Sequence, residues 1–334
     1  MSAIAAENWC FLSGRIAGLE SRLIRNDYMQ RMAGVEGLDD VFLSISDTSY
    51  KDCFPIIAKL YEADSIISDA HTDRVKEVAR YSPSPEVVGM FLGTFDFWNF
   101  KAYLKNTLTD LEVERIGHGT VSDEAWERVY NDLKTDLPGS WYKAASIIRS
   151  EAREDRPELT PEIIDLVLDS EYLIQQLKTA RAIGYPIIIS WAEGLKTITG
   201  VEIIWRTKAA GHDTGLLRRL FLRDMLDDPI LRELLDLPLD EWPDRLRTSP
   251  LEPIVDEVFS ASERDRLTAY ARLSEDLILD RARPAKNVAF GPDRIFGYLC
   301  GLRTEAYNLR LILSGKVNRI STDLLRARVR RQYV

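Results

Sequence analysis

Four short stretches of this 334-residue chain carry residue types that could do chemistry. His212-Asp213 is the kind of pair that helps hold a divalent metal in helical phosphohydrolases. Ser314-Gly315-Lys316 has the ending of a phosphate-binding loop. Asp227-Asp228 offers adjacent carboxylates for magnesium diphosphate, and Gly117-His118-Gly119 sets a histidine in a turn. None of the four meets the demands of its chemistry. A metal needs several converging donors, whereas only three histidines exist and His212 lies between Gly211 and Gly215. A phosphate loop needs Gly where Arg310 stands and Ser or Thr where Val317 stands. Asp227-Asp228 lacks a third carboxylate at helical spacing, and Pro229 marks Asp228 as a helix cap. No Gly-x-Ser-x-Gly elbow is present. The residues read as those of a protein without a catalytic centre, metal or other cofactor. An all-α metal-dependent phosphohydrolase using His212 and Asp213 is the alternative.

Charge narrows the partners. The net charge of −9 argues against nucleic acid, which needs a positive field. That sum hides a segregation: residues 1–110 carry −5, 111–215 carry −6 and 216–334 carry +2, and residues 284–334 alone carry +7. Cys10, Cys53 and Cys300 are odd in number and far apart, the pattern of reduced thiols rather than of a disulfide framework. The apolar start is short and interrupted by Glu7, so no secretory leader is expected. The longest uncharged run, Ala182 to Ala192, is about half of what a bilayer requires.

The elements that must position any site are helices. Apolar residues recur at steps of three and four, as in Ile16-Leu19-Leu23-Ile24. Start signals stand at Thr160-Pro161, Ser122-Asp123-Glu124 and Ser321-Thr322-Asp323. The best strand candidate, Tyr185-Pro186-Ile187-Ile188-Ile189, is short and runs into a helical pattern, so it reads as the buried start of a helix. The fold class expected is all-α.

A weak internal repeat divides the chain in three. Asp96-Phe97-Trp98-Asn99-Phe100-Lys101, Ile203-Ile204-Trp205-Arg206-Thr207-Lys208 and Glu305-Ala306-Tyr307-Asn308-Leu309-Arg310 align an aromatic residue, then Asn99, Arg206 and Asn308, then Lys101, Lys208 and Arg310. Each follows a breaker, Pro85, Pro186 or Pro292. Asp47-Thr48-Ser49-Tyr50-Lys51 echoes Gly139-Ser140-Trp141-Tyr142-Lys143. The expected division is 1–110, 111–215 and 216–334, three similar helical units. Within each motif the aromatic is expected to anchor in the core while the cation keeps its head in water; local salt bridging is the other reading.

Phe290-Gly291-Pro292-Asp293-Arg294-Ile295-Phe296-Gly297-Tyr298-Leu299, then Glu305-Ala306-Tyr307-Asn308-Leu309-Arg310 and the arginine-rich close Leu324 to Val334, resemble the C-terminus of the C subunit of archaeal and bacterial A/V-type ATPases, counterpart of the eukaryotic d subunit. Arg15-Ile16-Ala17-Gly18-Leu19-Glu20 is similar to that family's opening helix, and Asp96 to Lys101 to its Asn-x-Lys helix. Arg206 departs from it, standing where the family more often has Asn. The resemblance implies a pseudo-threefold funnel of three helical domains. It also implies a non-catalytic rotor part between the D–F central stalk and the membrane proteolipid ring, for H+ or Na+ transport. The expected place is the cytoplasmic face of the membrane, one copy per complex, touching the membrane only through the ring. The expected partner-contact or cavity-lining residues are Asn99, Lys101, Arg206, Lys208, Asn308, Arg310, Arg328, Arg330 and Arg331.

Overall fold

The computed structural model describes residues 3–53, 63–152, 159–211, 214–221 and 223–334. Among them the regular structure is helical, with no strand. The first third holds α1 (Ala3–Glu20), α2 (Asn26–Gly34), α3 (Leu38–Ser46), α4 (Ala63–Tyr81) and α5 (Pro85–Leu108). Next come α6 (Asp123–Tyr130), α7 (Gly139–Glu151), α8 (Pro161–Ile183) and α9 (Pro186–Ala209). The remainder holds α10 (Thr214–Leu220), α11 (Arg223–Leu226), α12 (Pro229–Asp236), α13 (Trp242–Arg247), α14 (Glu252–Ser260), α15 (Arg266–Ala282), α16 (Pro292–Val317) and α17 (Thr322–Arg328). No described helix is long and apolar enough to cross a membrane.

Local chemistry sets the helix ends. Pro85, Pro186 and Pro292 open the three longest helices, because proline at the first turn gives up an N–H that would have no partner. Ser122, Asp228 and Ser321 cap α6, α12 and α17 by accepting the N–H of Ala125, Ile230 and Leu324. Thr160 stands at the cap position of α8, but its hydroxyl accepts no such bond, and Pro161 alone marks that start. Gly184 closes α8 at φ +80°, a left-handed turn that glycine adopts without penalty. The triple isoleucine forms the first turns of α9, with Ile188 buried. Ser314-Gly315-Lys316 lies inside α16, so no loop is available there to cradle phosphate. His212 and Asp213 lie outside the described residues.

The chain packs as two compact units. One comprises Met1–Phe91, Tyr185–Trp191 and Arg272–Val334; the other comprises Leu92–Gly184 and Ala192–Ala271. In the first, α2, α3 and α4 bury Met29, Met32, Val41, Ile45 and Ile67 against Leu309, Ile312 and Leu313 of α16. At its centre one ring from the start of each long helix meets the other two. Phe91 of α5, Trp191 of α9 and Phe296 of α16 lie 5.0, 5.3 and 6.4 Å apart by ring centroid. Such offset and edge-on pairs add to the burial of their area. In the second unit Phe97 and Phe100 of α5 pack on Trp126 of α6 and Trp141 of α7. A separate aromatic group there joins Trp205, Trp242, Phe259 and Tyr270.

The echo of 47–51 in 139–143 differs in local structure. The first stretch is a turn and the second opens α7.

Candidate functional site

The repeated motif builds a recognisable device on two of the three long helices. On α5, Asn99 is buried, and its amide holds one backbone position of the segment that returns past the helix. Nδ2 donates to the Ile116 carbonyl at 2.9 Å and Oδ1 accepts the Ile116 N–H at 2.8 Å. Three residues earlier, Asp96 accepts from Thr120 N (2.6 Å), Thr120 Oγ1 (2.8 Å) and Val121 N (3.2 Å). A side-chain amide that meets a backbone N–H and C=O together replaces the pairing an irregular segment would otherwise lack.

On α16 the same arrangement recurs. Asn308 Nδ2 donates to the Arg330 carbonyl at 2.8 Å, and its Oδ1 accepts the Arg330 N–H at 2.9 Å. Glu305, again three residues earlier, takes the Ile24 N–H at 2.5 Å and Arg74 Nη1 at 3.2 Å. Arg74 in turn donates to Ser49 O and Oγ and lies 3.9 Å over the Tyr50 ring. Glu305 has no exposed surface, and that burial pushes its carboxyl above the usual range against the pull of Ile24 and Arg74. Reading the sequence did not single out Asp96 and Glu305. The available signal was an acid three positions before each Asn, a spacing that puts both side chains on one helix face.

The aromatics of these two motifs do not anchor in the core, contrary to expectation. Trp98 is 47% exposed and Tyr307 41% exposed. They lie on the returning segments instead: Trp98 Nε1 donates to the Glu114 carbonyl, and Tyr307 lies under the Arg330 guanidinium at 4.2 Å. Helical period places a residue on a face but cannot say whether the next segment covers that face. Only Trp205 behaves as expected, buried among aromatics.

The third helix lacks the device. On α9, Ile203 and Arg206 occupy the positions of the acid and the Asn. Arg206 reaches into solvent, 68% exposed, and pairs with Glu202 one turn back at 2.6 Å.

The cations lie in separate places. Lys101 pairs with Asp169 and, at 3.6 Å, Asp165, which Lys105 also holds at 2.7 Å. Desolvation raises the Asp169 carboxyl while Lys101 opposes it. Lys208 donates to the Leu237 carbonyl at the end of α12, and burial lowers its ammonium, with Arg218 adding to the effect. Arg310 donates to Ser68 Oγ at 2.6 Å. In the terminal strap, Arg330 Nη1 donates to the Arg328 carbonyl, Arg331 N donates to Asp276, and the Arg331 side chain reaches Asp280 at 2.7 Å. Asp276 is buried, which pushes it up. Lys101, Lys208, Arg310 and Arg331 each tie their helix or the terminal strap to a segment distant in the chain. Among the described residues, no group of three or more His, Cys, Asp or Glu side chains could hold a metal ion.

Comparison with known proteins gives a consistent answer along nearly the whole chain. The model of the ATP synthase (C/AC39) subunit family matches residues 12–328. The C subunit of the V-type sodium ATPase of Enterococcus hirae is 23% identical over 331 residues, which cover 96% of this chain and 98% of that protein. The C subunit of the A-type ATP synthase of Methanococcoides burtonii is 20% identical over 340 residues, 96% of this chain and 94% of that protein. A third relative, the corresponding A-type ATP synthase protein of Methanosarcina mazei, is 22% identical with 96% and 92% covered.

Proposed function

The chain belongs to the ATP synthase (C/AC39) subunit family, and from that membership we propose that it is the socket of a rotary A/V-type ATPase. In this reading it is a non-catalytic part of the rotor that joins the D–F central stalk to the membrane proteolipid ring. It sits on the cytoplasmic face, one copy per complex, and serves H+ or Na+ transport. The observation that carries the reading is the match over residues 12–328, with relatives aligned over almost their full length.

The threefold organisation, as units 1–110, 111–215 and 216–334 forming a funnel, is part of the same proposal. It draws support from the three proline-opened helices, from the ring that each gives to the Phe91–Trp191–Phe296 group, and from the acid-x-x-Asn device on two of them. For a part that transmits torque the demand is stiffness, and buried polar clamps on returning segments supply it. Among the candidate cations, Arg206 of the motif and Arg331 of the terminal strap keep exposed head groups and are the first we assign to partner contact; the other candidate residues would act by shaping the surface around them.

A binding measurement with purified D–F complex tests this. The chain is expected to bind at low ionic strength and to weaken as salt screens the contact. No binding at low salt, to either the D–F complex or the ring, overturns the proposal.

A further inference from the structure

A groove of about 810 Å³ opens on the first unit. Two stretches line it: the corner between α1 and α2 with the first turns of α2, and the turn from Asp47 to Asp52. Both are tied to the same buried ion pair. Glu305 holds the corner by the Ile24 N–H, and Arg74 holds the turn by Ser49 O and Oγ. The pair, with Arg74 and Glu305 at 3.2 Å, thereby fixes the spacing of the two sides from behind.

The sides differ in charge. The corner and α2 bring Arg22, Arg25 and Arg31 with a single carboxylate, Asp27, which Arg25 and Arg31 share at 3.5 and 3.3 Å. The turn brings Asp47 and Asp52 with Lys51. Among the described residues, no ion pair joins the arginines of one side to the carboxylates of the other, and Arg22, Asp47, Lys51 and Asp52 have no ion-pair partner. Small-molecule pockets are mostly apolar and enclosed, whereas this lining is charged, with Arg25 81% and Arg31 66% exposed in their side chains. A lipid surface or a nucleic acid presents one sign of charge, which Asp47 and Asp52 would repel. Complementarity to both sides at once calls for a protein segment with carboxylates along one edge and lysines or arginines along the other.

We infer that this groove is a docking site for such a segment of the central stalk, set between Arg22–Arg25–Arg31 and Asp47–Asp52. The inference rests on the socket reading and adds to it a place and a polarity.

The test measures D–F binding at low ionic strength by two charge reversals, Arg22→Glu with Arg25→Glu, and Asp47→Lys with Asp52→Lys. They change net charge in opposite directions. The groove predicts that both weaken binding by about tenfold, that salt erases the difference, and that the thermal midpoint stays within about 2 °C because all four residues are exposed. Opposite effects of the two variants mean a response to overall charge alone and overturn the groove, as does a change below twofold in both. In those cases the socket reading survives, because the unaltered chain still binds. An unaltered chain that does not bind the stalk removes both. Self-association that the reversals abolish, with stalk binding intact, assigns the groove to a second copy and also overturns the inference.

Discussion

Asn99 and Asn308 stand at matching positions of α5 and α16, and each grips both backbone groups of one residue that the chain reaches only 17 or 22 positions later. Their acids are solvated differently. Asp96 is satisfied by three donors from two consecutive residues. Glu305 is fully buried with one backbone N–H and one guanidinium, and lies above the usual carboxylate range for that reason. On α9 the device is absent and Arg206 points to water. The same short motif therefore gives a buried clamp that keeps slight exposure, a clamp with none, and an open position. What separates the two clamps is how completely their helix face is covered, since Asp96 and Asn99 keep 7% and 6% exposure while Glu305 and Asn308 keep none. The motif residues alone do not specify that cover.

The sharpest way to break that comparison is to remove the two amides. Asn308→Ala opens a gap on a helix face that is fully covered, and leaves the Arg330 N–H and C=O with only a marginal contact from Gln332 Nε2 at 3.5 Å. A loss of about 3 kcal/mol is expected, from two bonds plus the desolvation of unmet groups. Asn99→Ala removes equivalent bonds from Ile116 on a helix face that keeps slight exposure, and is expected to cost about 2 kcal/mol. Urea denaturation of both variants checks the order. An equal or reversed order means that cover of the helix face does not govern the clamps.

A smaller effect follows from Gly119, which lies against the α5 clamp. A Cβ there would sit 2.3 Å from Asn99 Nδ2 and 3.1 Å from Asp96 Oδ1. Gly119→Ala is expected to lose about 1–2 kcal/mol by forcing the amide off Ile116, again read by urea midpoint. In Asn99→Ala, where the amide is gone, the same glycine change should lose much less, so the double variant reports the contact itself.

How much of this was legible in the sequence follows from the range of each interaction. The proline starts at 85, 186 and 292 and the serine caps at 122 and 321 are local, and they were legible. The long helices that carry the motif were legible too, as was Arg206's departure from the pattern of Asn99 and Asn308. The clamps were not, because Asn99 and Asn308 find partners far along the chain and nothing near Ile116 or Arg330 announces them. Trp98 and Tyr307 misled for a related reason: an aromatic type points to the core, but each lies against a returning segment that leaves it partly exposed. Glu305 reads as an ordinary surface acid in sequence and becomes a core residue only when α1, α2 and α4 have packed on α16.

The buried acid gives a pH test. Because the folded carboxyl of Glu305 lies above its unfolded value, its contribution to stability is fully present below the unfolded value. That contribution is lost as pH rises through the folded one. Glu305→Gln cannot titrate. The stability of the parent chain relative to this variant should therefore fall as pH rises from 4 to 8, as followed by urea midpoints across that range. A relative stability that rises with pH would mean that the ion pair with Arg74 outweighs desolvation.

Arg206 should show the least effect on folding and the clearest separation of folding from binding. Its ion-pair partner, Glu202, lies one helical turn away at 2.6 Å, and the guanidinium is 68% exposed. Pairs of this kind contribute roughly 0.3–0.5 kcal/mol, so Arg206→Ala is expected to shift the urea midpoint by no more than that. If Arg206 faces an acidic surface on a partner, the same variant loses affinity for the D–F complex or the ring at low salt, and Arg206→Lys regains most of it. Losing stability to the extent of Asn99→Ala would instead place Arg206 among the residues that hold the fold. The contrast between closed and open motif positions would then fail, since α9 would have replaced the clamp with another structural contact of similar strength.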